Sequence, residues 1–239
     1  MPSFAAALAD GAERLELDVH ATADGHVVVL HDPLLERTTD GAGPVRERTL
    51  AEVLAFDAGY HFTAPDGSHP WRGRGVRVPT LDELLAAHPG VPLNIEVKQD
   101  EPAIEAAVLA ALDRHRARDR TLLAAEHAPI MSRIRAAAPD MLTSCSAAEV
   151  ADFVFRLRDG QLEGWTAPGF ALQVPPRYQG IAIVTAESVA AAHRHGLEVH
   201  VWTIDDPAEM NALLDLGVDG IMTNLPARGL DVFRRRGLR

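Results

Sequence analysis

Short apolar runs alternate with Ala-rich amphipathic stretches along most of the chain. Apolar residues at every second position, or continuous runs bounded by turn residues, predict strands at 15–22, 27–32, 93–98, 121–126, 141–146, 170–174 with 181–184 nearby, 198–204 and 220–224. Between them the helical period predicts helices at 3–9, 81–87, 103–118, 128–138, 186–195 and 207–216. Thr80 and Asp206-Pro207 read as helix starts, and Gly196 and Gly217 as helix stops. Strand–helix alternation of this kind predicts an α/β protein with a parallel sheet, and at 239 residues a closed (β/α)8 TIM barrel is the leading closure.

Residues 33–80 break the rhythm. They are rich in Gly, Pro, Arg and Thr and too long for a strand–helix connection. The expected organisation is one domain, residues 1–239, carrying 33–80 as an insertion. Tyr60, Phe62 and Trp71 of that insertion are expected either to cover the site or to form a small core of their own.

Composition narrows the function. The net charge is −11, which argues against a nucleic-acid partner held by diffuse positive charge. One cysteine, Cys145, excludes an internal disulfide framework and a Cys-rich zinc site. There is no apolar run of the ~18 residues a membrane span needs and no signal-peptide pattern, so the expected compartment is the cytoplasm. Oligomeric state is not readable. Arg234, Arg235, Arg236 and Arg239 are expected to form a solvated helix end.

The chemistry concentrates in two strands. In Glu16-Leu17-Asp18-Val19 the carboxylates share one face while Leu15, Leu17 and Val19 take the other, and Asn94-Ile95-Glu96-Val97-Lys98 repeats the pattern. If the apolar faces pack on helices, three acids and Lys98 converge at the C-terminal mouth of a barrel. Two like charges 4 Å apart repel by about 4 kcal/mol at an effective dielectric near 20, so protons or a cation must intervene. An all-oxygen set suits a hard divalent ion, Mg²⁺ or Ca²⁺. Equally, these acids could be exposed strand residues or structural ion-pair partners. His31, ending the run Val27–Leu30 and a hairpin turn (Asp24-Gly25) away from the acids, is placed to act as a general acid beside a metal-bound phosphodiester. Trp202 shares a strand face with His200 and serves either packing or contact with an apolar or glycerol-like part of a substrate.

Glu16-Leu17-Asp18-Val19 through Leu30-His31-Asp32, then Leu35-Glu36-Arg37-Thr38-Thr39-Asp40-Gly41, Pro79-Thr80-Leu81, Asn94-Ile95-Glu96-Val97-Lys98, His200-Val201-Trp202-Thr203-Ile204 and Asp219-Gly220-Ile221-Met222-Thr223-Asn224-Leu225-Pro226 together resemble the glycerophosphodiester phosphodiesterase family of bacterial type. The resemblance implies a (β/α)8 barrel with an insertion after the second strand. It implies metal-dependent hydrolysis of small glycerophosphodiesters to glycerol 3-phosphate and an alcohol, with the substrate's 2-hydroxyl attacking and a cyclic intermediate opened by water. It assigns Glu16, Asp18 and Glu96 to the metal, His31 to acid–base catalysis, and Lys98 and Trp202 to substrate. Family members open with a strand carrying His-Arg-Gly, whereas Met1-Pro2-Ser3-Phe4-Ala5 resembles the start of the helix that follows it. The first strand, a second catalytic histidine and its arginine are therefore expected to be missing, through a start downstream of the true one or through divergence. The expected consequences are two unpaired barrel edges, poor stability and reduced hydrolysis. His20 is the one substitute histidine to test. The alternatives are a lysophospholipase D- or sphingomyelinase D-like lipid phosphodiesterase, marked by an exposed apolar rim, and a non-catalytic anion-binding member.

Overall fold

The computed structural model describes residues 1–238; Arg239 lies outside the described residues. The barrel strands are β1 (Leu15–Ala21), β3 (Leu93–Val97), β4 (Thr121–Ala124), β5 (Leu142–Thr143), β6 (Ala171–Val174), β9 (Glu198–Val201) and β10 (Gly220–Ile221). Two small antiparallel additions complete the strands: β2 (Val27–Val29) against β1, and the ribbon β7 (Arg177–Tyr178) with β8 (Ile181–Ala182). The helices are α1 (Pro2–Ala9), α2 (Leu50–Ala55), α3 (Leu81–Ala87), α4 (Glu105–Arg114), α5 (Ala128–Ala137), α6 (Ala147–Arg158), α7 (Ala186–Arg194), α8 (Pro207–Asp215) and α9 (Pro226–Arg235). No described helix is long and apolar enough to cross a membrane.

Parallel pairing runs β1–β3–β4–β5 in one sheet and β6–β9–β10 in another. The sheets join through the parallel bridge Ser144↔Ala171 and the bonds from Cys145 N to Ala171 O (2.8 Å) and from Phe170 N to Thr143 O (2.7 Å). Seven parallel strands thus follow one another in chain order around a barrel. Among the described residues no ladder links β10 to β1, and the first element is the helix α1.

The period-two pattern sorts as expected. Leu15, Leu17, Val19, Leu93, Ile95 and Val97 are buried in one cluster with Leu81, Leu84, Leu85 and Val108 of the surrounding helices. The opposite face looks into the barrel, where Leu122, Ala124 and Ala171 form a small apolar plug with Phe170. Beside it lies a polar layer: the Gln173 amide bonds the Asn94 amide (3.0 and 3.4 Å) and donates to His200 Nδ1 (3.3 Å), while His200 Nε2 donates to Glu198 (2.9 Å).

Observed strands are shorter than the sequence predicts because ladders stop where the barrel ends and the chain turns into loops. Three helices, α2, α6 and α9, are not among those predicted. One of them, α6, carries a recognisable start, since Ser146 and Glu149 form a capping box. Within 33–80, a short antiparallel bridge (Leu34↔Pro44) and α2 support a separate cluster of Val28, Leu30, Leu35, Val45, Val53 and Val78. Tyr60, Phe62 and Trp71 are outside that cluster and exposed, so they do not build the insertion's core. The helix-end arginines are surface groups, with Arg235 paired to Asp231 and Arg236 to Asp215. Cys145 is buried, and burial pushes its thiol up to about 12, so it packs as a small apolar group.

Candidate functional site

Register brings the acids together. Parallel pairing sets Glu16 beside Asn94 and Asp18 beside Glu96, both on the inward face. Carboxylate oxygens of Glu16, Asp18 and Glu96 all lie within 4.8 Å of one another. Lys98 adds the one cation of this group, its Nζ 2.9 Å from Glu96 Oε1 and 3.3 Å from Asp18 Oδ1. The structural ion-pair role foreseen for these acids is therefore filled in part by Lys98, while Glu16 has no salt bridge to it.

The electrostatics follow from that imbalance. Part of the Glu16 side chain reaches solvent, yet burial of its carboxyl, reinforced by Asp18 and Glu96, pushes it up to about 8. Burial likewise raises Glu96, against the pull of Lys98. Burial alone would lower the Lys98 ammonium, but Glu96 and Asp18 outweigh it and hold it above the ordinary lysine value. With Glu16 protonated, the cluster and its one lysine still carry one uncompensated negative charge; with all three acids ionised, they carry two. Hard oxygen donors, close spacing and a charge deficit of two fit a divalent cation.

His31 arrives by the hairpin. β1 runs on past the barrel rim, the chain reverses at Gly25 (φ +82°, a conformation that glycine adopts without strain), and β2 returns so that Leu30 N donates to Asp18 O (3.0 Å). His31 Nδ1 donates to Asp32 Oδ1 (2.6 Å), leaving Nε2 on an exposed ring. Asp32 is in turn gripped by Arg37 through both Nε and Nη2, and this guanidinium holds its carboxyl well below the usual range. The Arg37 clamp escaped the sequence reading, although it lies only five positions from Asp32.

His20 occupies a different position from a free base. It is buried, its Nε2 donates to the His31 carbonyl (3.2 Å), and burial lowers its pKa. It fixes the backbone that carries His31. Trp202 stands exposed at the C-terminal end of β9, at the barrel mouth, while His200 on the same face is committed to Glu198 and Gln173. A cavity of about 320 Å3 opens beside the cluster, lined by Glu96, Lys98, Glu126, His127, Ile130 and Ala147 among others. Glu126 and His127 carry no local motif, and only the fold brings them here.

Comparison with known proteins gives consistent results. The glycerophosphoryl diester phosphodiesterase family profile matches residues 1–228. A glycerophosphodiester phosphodiesterase of Bacillus subtilis is 30% identical over 229 residues, covering 90% of this chain and 74% of that protein. The glycerophosphoryl diester phosphodiesterase domain of a Mycobacterium tuberculosis protein superposes with a TM-score of 0.82 at 22% identity, covering 97% of this chain and 91% of that one. An Oleispira antarctica phosphodiesterase, solved in complex with the product sn-glycerol-3-phosphate, superposes with a TM-score of 0.75 at 24% identity, covering 97% and 90%.

Proposed function

The chain belongs to the glycerophosphoryl diester phosphodiesterase family, and from that premise we propose that it is a phosphoric diester hydrolase that cleaves small glycerophosphodiesters to glycerol 3-phosphate and an alcohol. The observation that carries the proposal is the convergence of Glu16, Asp18 and Glu96 beside Lys98 at the barrel mouth. The product seen in the Oleispira antarctica protein supports the same substrate class. The catalytic unit is a single domain of residues 1–239, with 33–80 inserted after the His31-Asp32 pair and supplying Arg37, which holds Asp32.

Glu16, Asp18 and Glu96 would hold a divalent ion, Mg²⁺ or Ca²⁺, which when bound polarises a phosphoryl oxygen as a Lewis acid. Lys98 balances charge on the phosphoryl group from within hydrogen-bond reach of two of these acids. As the substrate's own 2-hydroxyl bonds to phosphorus and loses its proton to solvent, His31, its Nδ1 held by Asp32, gives the Nε2 proton to the bridging oxygen of the departing alcohol and that P–O bond breaks. Water then opens the cyclic ester to glycerol 3-phosphate. Trp202 offers an apolar face to the glycerol-like part of the substrate. The cytoplasm is the place of action proposed for the chain.

The test is hydrolysis of glycerophosphocholine with and without chelator, comparing the wild type with His31→Ala. The variant should lose ~10²–10⁴-fold on poor leaving groups and far less on activated aryl phosphodiesters. Equal loss on both removes His31 from the acid role. Binding of metal and glycerol phosphate without turnover would replace hydrolysis by anion binding.

A second reading has one observation in its favour. Leu34, Tyr178, Ile181, Trp202 and Leu225 are all exposed large apolar side chains, and four of them lie on segments leaving the C-terminal ends of β6, β9 and β10. Such a rim suits lysophospholipid or sphingolipid head groups at a lipid surface. On that reading, long-chain lysophosphatidylcholine should outcompete glycerophosphocholine.

A further inference from the structure

The cavity of about 320 Å3 beside the acidic cluster is of a size that small-molecule sites use, roughly 300 Å3 and upward. Glu96 and Lys98 belong both to its wall and to the cluster, so a phosphoryl group held at Lys98 would lie at the edge of this cavity. The remaining wall is unequal in charge. Glu96 is paired with Lys98 at 2.9 Å, and His127 Nδ1 lies 3.2 Å from Asp100, which Arg133 also holds. Glu126 differs. Its backbone carbonyl accepts from Ala147 N (2.9 Å), which fixes its position at the end of β4, but no Lys, Arg or His among the described residues pairs with its carboxylate. The same wall is aliphatic at Ile130 and Ala147.

A wall of this kind recognises a group that is cationic at its centre and tolerates methyl or methylene surface around it. A phosphodiester with an aminoalcohol arm supplies both charges at once: its phosphoryl oxygens meet Lys98, and its ammonium meets Glu126. A polyol arm offers nothing to a lone carboxylate except hydrogen bonds that water makes equally well.

We propose that this cavity receives the alcohol arm of the substrate and that Glu126 is a specificity residue favouring arms that bear an ammonium group, ethanolamine- or choline-like, over neutral polyols. The proposal rests on the phosphodiesterase reading given above, and it adds the class of alcohol released.

Two Kd ratios decide it. Calorimetry on His31→Ala protein, in which turnover is slowed, gives the affinities for glycerophosphoethanolamine and glycerophosphoglycerol, and the same pair is measured with Glu126→Gln or Glu126→Lys added. Glu126 is exposed, so neither change disturbs packing. The expected ratio favours the amine by roughly fivefold, the scale of a solvent-accessible ion pair. Gln should bring it near unity, and Lys should put the polyol ahead. A ratio that stays put in both variants overturns the proposal. Release of glycerol 3-phosphate by protein with His31 intact reports separately on hydrolysis, so either reading can fail without the other.

Discussion

Glu16 shows how one side chain couples charge, pH and ligand. Its carboxyl, pushed up to about 8 by burial and by Asp18 and Glu96, binds a proton in the folded protein that it has lost in the unfolded chain anywhere between about pH 4.5 and 8. A raised native pKa favours the folded state fully below the unfolded value, and that advantage fades as pH rises through the native one. Metal-free protein should therefore lose thermal stability from pH 5 to pH 8.5, read by melting in chelator, and Glu16→Gln should flatten the profile. A divalent ion competes with the same proton, so its affinity should climb over this interval and calorimetry in buffers of different ionisation heat should detect proton release near pH 7. A flat profile in the wild type would show that Glu16 is ionised without help.

At the scale of elements, the junction of the two sheets is the most sensitive point. Gly169 precedes β6 where its backbone passes Ser144 and Thr143, and a Cβ there would lie 2.8 Å from Ser144 O and 2.9 Å from Thr143 O. Those atoms are main chain and belong to the only bridge between β5 and β6 among the described residues. Gly169→Ala should destabilise by about 1–3 kcal/mol, seen as a lower urea midpoint. Gly25→Ala, in contrast, meets no atom within 4 Å, so its cost is confined to the positive φ. The elements were legible wherever the alternation was strict. The outward residues of β1 and β3 declared themselves, and with them the inward acids. Helix α6, absent from the predicted helices, was legible too: Val150, Phe153, Val154 and Leu157 recur at helical spacing and pack on one core cluster, though only Phe153 is fully buried.

On the scale of the whole molecule, the order β1–β3–β4–β5–β6–β9–β10 leaves β10 and the lower half of β1 with open edges. Amides on such edges exchange through small local openings, whereas strands flanked on both sides require larger ones. Hydrogen exchange should show β3 and β4 as the most protected strands and β10 among the least. Equal protection of β10 and β4 would mean that the open edge is covered in solution.

Periodicity alone determined which side chains of each strand share a face, because alternation is a property of the extended backbone and needs no partner. It therefore established that Glu16, Asp18, Glu96 and Lys98 would look inward together once their apolar neighbours found helices. What only the tertiary structure decided is how those groups meet: Lys98 bridging two acids, Glu16 left with a proton, His20 spent on a carbonyl, Arg37 closing on Asp32, and Glu126 unpaired beside a cavity. Distances between separate segments depend on register, on where each strand ends and on which neighbour arrives first, and none of these is encoded in any single stretch of chain.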